Sequence, residues 1–288
     1  MNPFVICADS ACDMSESILK DWGVCAASLR FRFEGEPEEY SNNELPAGEF
    51  YQKMRAGGIA RTSAVNVEDF KNLFTPHLEN GTDVLYLGFS SGISTTYNSA
   101  RLAATELAAQ YPDRKIIAVD TLAASAGVGL LIYLAVRQKN AGASIEEVAQ
   151  YVTDLRLKLC HWFTVDDLQY LKRGGRVSPT AAFVGGVLGI KPVMHVDNEG
   201  KLIPMSKVRG RRAALQALAD QYGKLADASM QAPIYISHGD CMQDVELLRK
   251  MLKEQYNADV EIVSDVGPVI GAHSGPGTLA LFFIGTER

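Results

Sequence analysis

Apolar runs of strand length alternate with helical patterns along the first half of this 288-residue chain. The apolar runs predict strands at 4–8, 26–33, 83–88 and 115–119. Helices are predicted at 46–55, 66–80, 94–111 and 123–138, and a capping box of Ser144 and Glu147 begins another. Because strands that are separated by helices pair in parallel, this alternation predicts a parallel sheet covered by helices.

The pattern changes after residue 157. A strand is predicted at 160–164, and two later strands meet at a tight turn formed by 197–200. A turn of this kind joins antiparallel strands, so the second sheet is expected to be mixed. The predicted fold class is α/β with two domains, an N-terminal α/β/α domain with a parallel sheet at 1–157 and a C-terminal α/β domain with a mixed sheet at 158–288.

Residues 266–286 form a stretch as long as a membrane span, and none of them is formally charged. The stretch also contains two prolines and five glycines. A helix interrupted in this way would leave backbone groups without partners in lipid. We therefore expect a loop followed by a buried strand, and no transmembrane segment.

The charge balance argues against two classes of protein. Lys and Arg number 28 against 34 Asp and Glu, which gives a net charge of −6. Proteins that bind nucleic acid or lie on acidic membrane surfaces need clustered cations. Five cysteines without a C-x-x-C pair, and no secretory leader, predict a cytoplasmic protein. The histidines are too scattered for a metal site, and no cofactor is predicted.

Residues 88–92 match the G-x-S-x-G pattern of serine hydrolases, directly after a predicted strand and before a helix. Ser90 would be the nucleophile, and Asp265 and His273 follow it in the chain order of the α/β-hydrolases. Against this, fewer strands precede Ser90 than that fold requires, and no glycine-rich oxyanion segment precedes it. A serine esterase that uses Ser90 is therefore kept as the alternative function, and a sugar- or nucleotide-binding protein rests on fold analogy alone.

The same segment also suits the capture of an anion. Ser90, Ser91 and Ser94 lie at a helix start, where unpaired N–H groups and the helix dipole attract negative charge. Ser94 could equally be a simple helix cap. Thr62 and Ser63 precede another helix start, and we expect both loops to meet at the carboxyl edge of parallel strands, where open sheets bind ligands.

Two basic clusters stand out in this acidic chain. They consist of Lys172, Arg173 and Arg176, and of Lys207, Arg209, Arg211 and Arg212. An arginine fork suits phosphoryl oxygens, so a phosphate or acidic partner is one interpretation and a solvated surface is the other. His273 lies in the glycine-rich segment 271–277, where its imidazole could donate a hydrogen bond to an anion.

Short motifs follow one another in a characteristic order, namely Asp9-Ser10, Thr62-Ser63, 90–94 (SSGIS), 163–168 (FTVDDL), 174–176 (GGR), Lys191-Pro192, Val208-Arg209 and 271–277 (GAHSGPG). Each motif is weak alone, but together they resemble the DegV family of bacterial fatty-acid-binding proteins nearly end to end. The resemblance implies a two-domain α/β protein that holds a long-chain fatty acid, such as palmitate or oleate, between its domains. It also implies a lipid-binding protein without catalysis of its own.

The resemblance further implies a role for individual side chains around the carboxylate of the fatty acid. Thr62 and Ser94 are expected to contact this carboxylate directly. The other expected ligand-binding residues are Ser63, Ser91, Gly92 and His273.

Members of the family that are similar to the FakB proteins present the acid to a separate ATP-dependent fatty acid kinase, which makes an acyl phosphate for phospholipid synthesis. The resemblance therefore implies such a kinase as a partner. Arg176 and Arg209 match the arginines expected near the head group and the kinase. Arg173 and Arg211 are expected on the same partner-facing surface.

Two departures from the family pattern concern the carboxylate site. Residues 64–66 read Ala-Val-Asn where the family usually has Gln-Pro-Ser, and Thr95 stands where a glycine is usual. Thr95 places a side chain near the helix start, where it could alter the fit of the head group, and the sequence leaves its effect open. The small apolar residues at 181–189 are predicted either to line the acyl tunnel or to form ordinary core.

Overall fold

The computed structural model describes residues 2–177 and 189–288. Its strands are β1 (Phe4–Asp9), β2 (Val24–Ala27), β3 (Arg30–Phe33), β4 (Tyr40–Ser41), β5 (Ala60–Ser63), β6 (Asp83–Gly88), β7 (Ile116–Asp120), β8 (Leu159–Thr164), β9 (Ile190–Val196), β10 (Leu202–Arg209), β11 (Ile234–His238), β12 (Val260–Asp265) and β13 (Leu279–Ile284). Its helices are α1 (Glu16–Asp21), α2 (Ala47–Arg55), α3 (Val67–Glu79), α4 (Thr96–Gln110), α5 (Ala126–Asn140), α6 (Ile145–Leu155), α7 (Gln169–Arg173), α8 (Arg211–Leu225), α9 (Met242–Tyr256) and α10 (Pro268–Ser274).

Four strands form a parallel sheet in the order β2-β1-β6-β7. Side chains alternate between its two faces, as the pleat of a strand requires. Cys7 and Tyr86 belong to the core shared with α3 and α4. Ile6 and Leu85 belong to the core shared with α5 and α6. The predicted parallel sheet with helices on both faces is confirmed.

The prediction of one strand at 26–33 is wrong, because this region forms two strands in different sheets. β2 ends at Ala27 in the parallel sheet, whereas β3 pairs antiparallel with β4 and β5 in a small three-stranded sheet. At the bend between them, the backbone N–H of Leu29 donates to the Ser10 Oγ at 3.0 Å. A hydrogen bond to Ser10, which directly follows β1, therefore accompanies the change in chain direction between β2 and β3.

Six strands form a mixed sheet in the order β10-β9-β8-β13-β11-β12. β11 and β12 pair in parallel, and the other neighbours pair antiparallel, including the predicted β9–β10 hairpin. Trp162 and Leu281 lie in the core formed with α8 and α9. Phe163 and Phe282 lie on the opposite face, which we call the inner face, in the core that includes α5. The predicted mixed sheet is confirmed.

Helix α5 packs between the parallel sheet and the inner face. Nearly all of residues 126–136 are buried, as expected for a helix that is apolar on every side. A Cβ at Gly127 would lie 2.4 Å from the His161 Nε2, so glycine allows the helix to approach the six-stranded sheet. The predicted domain boundary near residue 157 lies between the strands of the two larger sheets and stays a prediction.

The prediction that the chain before β13 is loop is wrong, because it contains α10. The helix begins at Pro268, a position at which proline is well tolerated, and ends at Ser274, directly before Gly275, whose φ is 83°. The Asn42 Oδ1 accepts a hydrogen bond from the Val269 N–H at 2.8 Å and so caps the helix from a distant loop. In the part of the chain that the structure describes, no helix is long and apolar enough to cross a membrane.

Candidate functional site

A cavity of about 450 Å³ lies between the loop after β6, the segment just before α5, helix α10 and the inner face of the six-stranded sheet. Its size falls within the range of roughly 300 to 1,000 Å³ that is usual for ligand pockets. Much of its described lining is apolar and includes Phe89, Phe163, Leu171, Val196, Leu202 and Phe282. The cavity can therefore hold an extended apolar group.

Thr62 and His273 form a polar pair in the lining of this cavity. The Thr62 Oγ1 lies 2.8 Å from the His273 Nε2. Thr62 lies on β5 opposite Phe31 of β3, and His273 lies in the last turn of α10. The prediction that Thr62 lies at the carboxyl edge of a parallel strand is wrong, because β5 pairs antiparallel with β3. Thr62 nevertheless lines the cavity.

The surroundings of His273 favour negative charge. Burial lowers the pKa of His273 to about 4, and the positive charges of Arg176, Arg61 and Arg173 act in the same direction. The imidazole is therefore neutral near pH 7. The same three guanidinium groups create a positive field that would stabilise an anion beside the ring. Arg61 was not singled out from the sequence, where it is recognisable only as the residue before Thr62.

The loop between β6 and α4, which we call the serine loop, places Ser91, Gly92, Ser94 and Thr95 on the cavity. The Ser94 Oγ accepts a hydrogen bond from the Thr96 N–H at 3.2 Å and lies 2.9 Å from the Thr96 Oγ1. Ser94 lies just before the N-cap residue Thr95, so its hydroxyl satisfies the first N–H group of α4 and also lines the cavity. Thr95 is exposed and makes no capping bond, so its side chain stands at the cavity as its departure from the family pattern implied.

The turn between β9 and β10 packs directly on the serine loop. A Cβ at Gly92 would lie 2.6 Å from the Glu199 carbonyl oxygen and 2.8 Å from that of Gly200. Ser90 is fully buried and donates its hydroxyl to the Gly200 carbonyl oxygen at 2.8 Å. Two of the three fixed residues of the G-x-S-x-G pattern, Ser90 and Gly92, therefore contact this turn.

The catalytic triad of the esterase alternative is not assembled. The hydroxyl of Ser90 is committed to a carbonyl oxygen, and His273 has Thr62 as its partner. Asp265 lies 3.7 Å from the Nε2 of a different histidine, His238. The grouping of Ser90, Asp265 and His273 that the esterase alternative requires is therefore not found, and nothing in the described residues activates the Ser90 hydroxyl.

Arg176 also lines the cavity, next to the serine loop. Its Nε donates to the Ile93 carbonyl oxygen at 3.3 Å, and its guanidinium also donates to the Gly174 carbonyl. Burial lowers the pKa of Arg176, but an arginine stays protonated at neutral pH. These bonds hold a fixed positive charge at the polar part of the cavity.

The three remaining predicted arginines have different surroundings. Arg173 and Arg209 are exposed, and Arg209 ends β10. Arg211 forms ion pairs with Asp244 at 2.9 Å and with Asp166 at 3.6 Å. These contacts favour a structural role for Arg211 over the partner-facing role that we predicted.

Ser63 does not share the position of its neighbour Thr62. Successive side chains of a strand point to opposite faces, and Ser63 is exposed and absent from the cavity lining. The structure therefore gives no support to the predicted ligand-binding role of Ser63. Residues 181–188 of the predicted tunnel wall lie outside the described residues.

One buried polar cluster was not predicted. The Ser125 hydroxyl donates to the Asp13 carboxyl and lies 2.9 Å from the Ser237 Oγ. Burial raises the pKa of Asp13 to about 7. Ser125 has a φ of 54°, an unusual backbone state for a residue with a side chain. Ser125 and Asp13 are far apart in the sequence and are brought together only by folding. The sequence therefore offers one signal for this cluster, which is Ser237 beside the apolar residues of β11.

A metal site is not found in the residues that the structure describes, since no group of three or more His, Cys, Asp or Glu side chains could hold an ion there. The expectation that no cofactor is needed stays a prediction.

Comparison with known proteins identifies relatives over the full length of the chain. The family model described as "Uncharacterised protein, DegV family" matches residues 3–286. A DegV domain-containing protein of Clostridium perfringens is 42% identical, over 100% of this chain and 99% of the relative. A relative from Thermotoga maritima named "Fatty acid-binding protein" is 36% identical, over 98% of each chain.

Solved structures show the same fold. A DegV family protein from Thermus thermophilus, described by its fatty acid binding, has a TM-score of 0.86 at 30% identity and covers 99% of this chain and 100% of its own. A stearic acid-binding protein from Eubacterium ventriosum has a TM-score of 0.87 at 27% identity, covering 98% of each chain. Fold, motif order and full-length similarity agree, and this chain belongs to the DegV family.

Proposed function

We propose that this chain binds a long-chain fatty acid, such as palmitate or oleate, with its tail in the cavity and its carboxylate beside Thr62 and His273. The observation that carries the proposal is the combination of a largely apolar cavity of about 450 Å³ with the Thr62–His273 pair, which lies in a positive field. The chain acts as a carrier in this proposal and performs no chemistry on the acid itself.

The apolar lining supplies most of the binding free energy. Burying an acyl chain contributes roughly 0.8 kcal/mol per methylene, so a sixteen-carbon acid gains on the order of 10 kcal/mol before the costs of ordering. Phe163 and Phe282 of the inner face, with Leu171 from α7, are large side chains available for this contact.

The head group needs compensation, because a carboxylate that leaves water without hydrogen bonds loses several kcal/mol. The hydroxyls of Thr62, Ser91 and Ser94 are available as donors on the cavity. His273 is neutral at pH 7 and therefore carries one ring N–H. The fixed charge of Arg176 adds electrostatic stabilisation without requiring a proton transfer.

The names of relatives agree with this proposal. The Thermotoga maritima relative is named for fatty acid binding, and the Eubacterium ventriosum structure for stearic acid. Because these similarities cover nearly the whole of both chains, a cavity in the same place is expected to take the same class of ligand.

We further propose that the bound acid is presented to an ATP-dependent fatty acid kinase, which forms an acyl phosphate for phospholipid synthesis. Strand pairing supports a common surface. Three strand termini lie at the same end of the six-stranded sheet, namely the end of β10, where Arg209 lies, the end of β8 and the start of β13. Arg173 and Arg176 follow β8, and His273 precedes β13. The exposed Arg173 and Arg209 at this end of the sheet suit the phosphoryl groups of ATP or an acidic partner surface.

The carrier function is tested by titrating delipidated protein with palmitate and with oleate in a calorimeter. Saturable binding of one acid per chain is the expected result. A short-chain acid such as butyrate is the matched control, because it keeps the carboxylate and lacks the tail. Equal binding of butyrate and palmitate, or binding of neither, would refute the proposal.

The kinase role is tested by measuring acyl phosphate formation with the kinase of the same organism. Arg173→Ala and Arg209→Ala should slow the reaction. Arg209→Ala should leave fatty acid affinity unchanged, whereas Arg173→Ala also removes one charge of the field at His273 and should lower this affinity. Arg249→Ala is the control, because this exposed arginine lies on α9 and pairs with Glu246. Normal rates for both test variants would remove these two arginines from the partner surface.

A further inference from the structure

Two cysteines face each other across the edge of the parallel sheet. Cys7 of β1 lies directly opposite Cys25 of β2 in the parallel register. Opposed residues on neighbouring strands are about 4.8 Å apart, and a disulfide needs Cα atoms roughly 4.4 to 6.8 Å apart. The two thiols already lie within hydrogen-bonding reach of each other. The backbone therefore permits a bond between them without a change in pairing.

The two sulfurs differ in access. β2 is an edge strand of the described sheet, and Cys25 on it is partly exposed, whereas Cys7 is fully buried. The imidazole of His77 on α3 lies within hydrogen-bonding reach of Cys25, and the ammonium group of Lys139 on α5 is near enough to act on it. A reagent from solvent would therefore meet Cys25 first.

The same contacts make Cys25 the more nucleophilic of the two. The hydrogen bond from Cys7, and then that from His77, lower the pKa of Cys25 to about 6 against the opposing effect of burial. The hydrogen bond with Cys25 and burial raise the pKa of Cys7 well above its usual value. This arrangement favours the thiolate at Cys25 and the thiol at Cys7, as in a reactive cysteine with a resolving partner.

The remaining cysteines provide an internal comparison. Burial raises the pKa of Cys12, Cys160 and Cys241. Cys241 is the most useful of these, since it is partly exposed like Cys25.

We propose that Cys25 and Cys7 form a peroxide-reactive pair, in which Cys25 is the nucleophile and Cys7 resolves the product into an intramolecular disulfide. The Cys25 thiolate attacks one oxygen of hydrogen peroxide, so that an S–O bond forms, the O–O bond breaks and the leaving hydroxide takes a proton from solvent. The product is a sulfenic acid and one water.

Cys7 completes the reaction in a second step. Its thiol loses a proton as its sulfur attacks the Cys25 sulfur, the S–S bond forms and the S–O bond breaks. The departing hydroxide takes that proton and leaves as water. In total, two thiols lose two electrons, and one peroxide is reduced to two waters. Neither cysteine belongs to the described lining of the fatty acid cavity, so this site is independent of the proposed carrier function.

The first test is the rate of alkylation of the reduced, full-length protein by iodoacetamide, followed by peptide mass spectrometry across pH. Cys25 should react at least about tenfold faster than Cys241 at pH 7, because thiolate content outweighs the lower nucleophilicity of a more acidic thiol. The rate at Cys25 should rise with a midpoint near pH 6. His77→Gln should move this midpoint upward, and equal rates at Cys25 and Cys241 would overturn the proposal.

The second test is oxidation with hydrogen peroxide. The wild-type protein should lose two hydrogens in mass and yield one linked peptide pair that contains Cys7 and Cys25. Cys7→Ser should stop at the sulfenic acid, which dimedone traps on Cys25, and Cys25→Ser should give neither product. Cys241→Ser is the matched control and should behave as the wild type. Absence of both the linked peptides in the wild type and the dimedone adduct in Cys7→Ser would refute the pair.

Discussion

Thr62→Val removes one hydroxyl from the cavity and keeps the shape and β-branching of the side chain. In the wild type this hydroxyl lies 2.8 Å from the His273 Nε2 and lines the cavity. A hydrogen bond to a charged group contributes about 1.5 to 3 kcal/mol. Since about 1.4 kcal/mol corresponds to a factor of ten, the affinity for a fatty acid should fall about 10- to 100-fold.

The assay is calorimetric titration of delipidated protein with stearate. Ser63→Ala is the matched control, because Ser63 adjoins Thr62 on β5 but is exposed and does not line the cavity. Its affinity should equal that of the wild type. Thermal unfolding without ligand checks that both variants fold normally. Wild-type affinity in Thr62→Val, or an equal loss in both variants, would refute the placement of the carboxylate at Thr62.

Three other predictions concern stability and chemistry. Burial raises the pKa of Asp13 to about 7, so the folded chain keeps this proton from about pH 4 to pH 7 whereas the unfolded chain releases it. The free energy of unfolding of the wild type, relative to Asp13→Asn, should therefore fall across that range by up to about 4 kcal/mol, and a constant difference in denaturant titrations would contradict this. Gly92→Ala should lower the free energy of unfolding by about 1 to 3 kcal/mol, because the added Cβ would clash with the Glu199 and Gly200 carbonyl oxygens. An unchanged free energy of unfolding would show that the β9–β10 turn can move to accommodate the Cβ. Ser90→Ala should lose about 1 to 3 kcal/mol of stability and keep fatty acid binding, and labelling of wild-type Ser90 by a fluorophosphonate probe would restore the esterase alternative.

Elements that depend on neighbouring residues could be predicted from the sequence. The capping boxes at Asn66 and Ser144 both form, because each is specified within four residues of chain. The β9–β10 hairpin likewise follows from its short turn, and the parallel sheet follows from the alternation of strand and helix patterns. The family resemblance supplied Thr62, Ser94, His273 and Arg176, all of which line the cavity.

Elements that depend on distant contacts could not be predicted. The bend at Leu29 involves the hydroxyl of Ser10, and α10 is capped by Asn42 from more than two hundred residues away. Glycines and prolines around α10 are typical of a loop when they are considered alone. The different roles of Thr62 and Ser63 could not be predicted, because β5 is a short polar segment that does not have the sequence pattern of a strand. Only the strand shows that one side chain points inward and the other outward.

Native mass spectrometry of the purified chain, followed by extraction and identification of any bound lipid, tests the central claim most directly. The proposal predicts one long-chain fatty acid per chain, recovered intact, and a complex that forms again when palmitate or oleate is added to delipidated protein. Recovery of no acyl chain, together with no complex after either acid is added, would contradict the account.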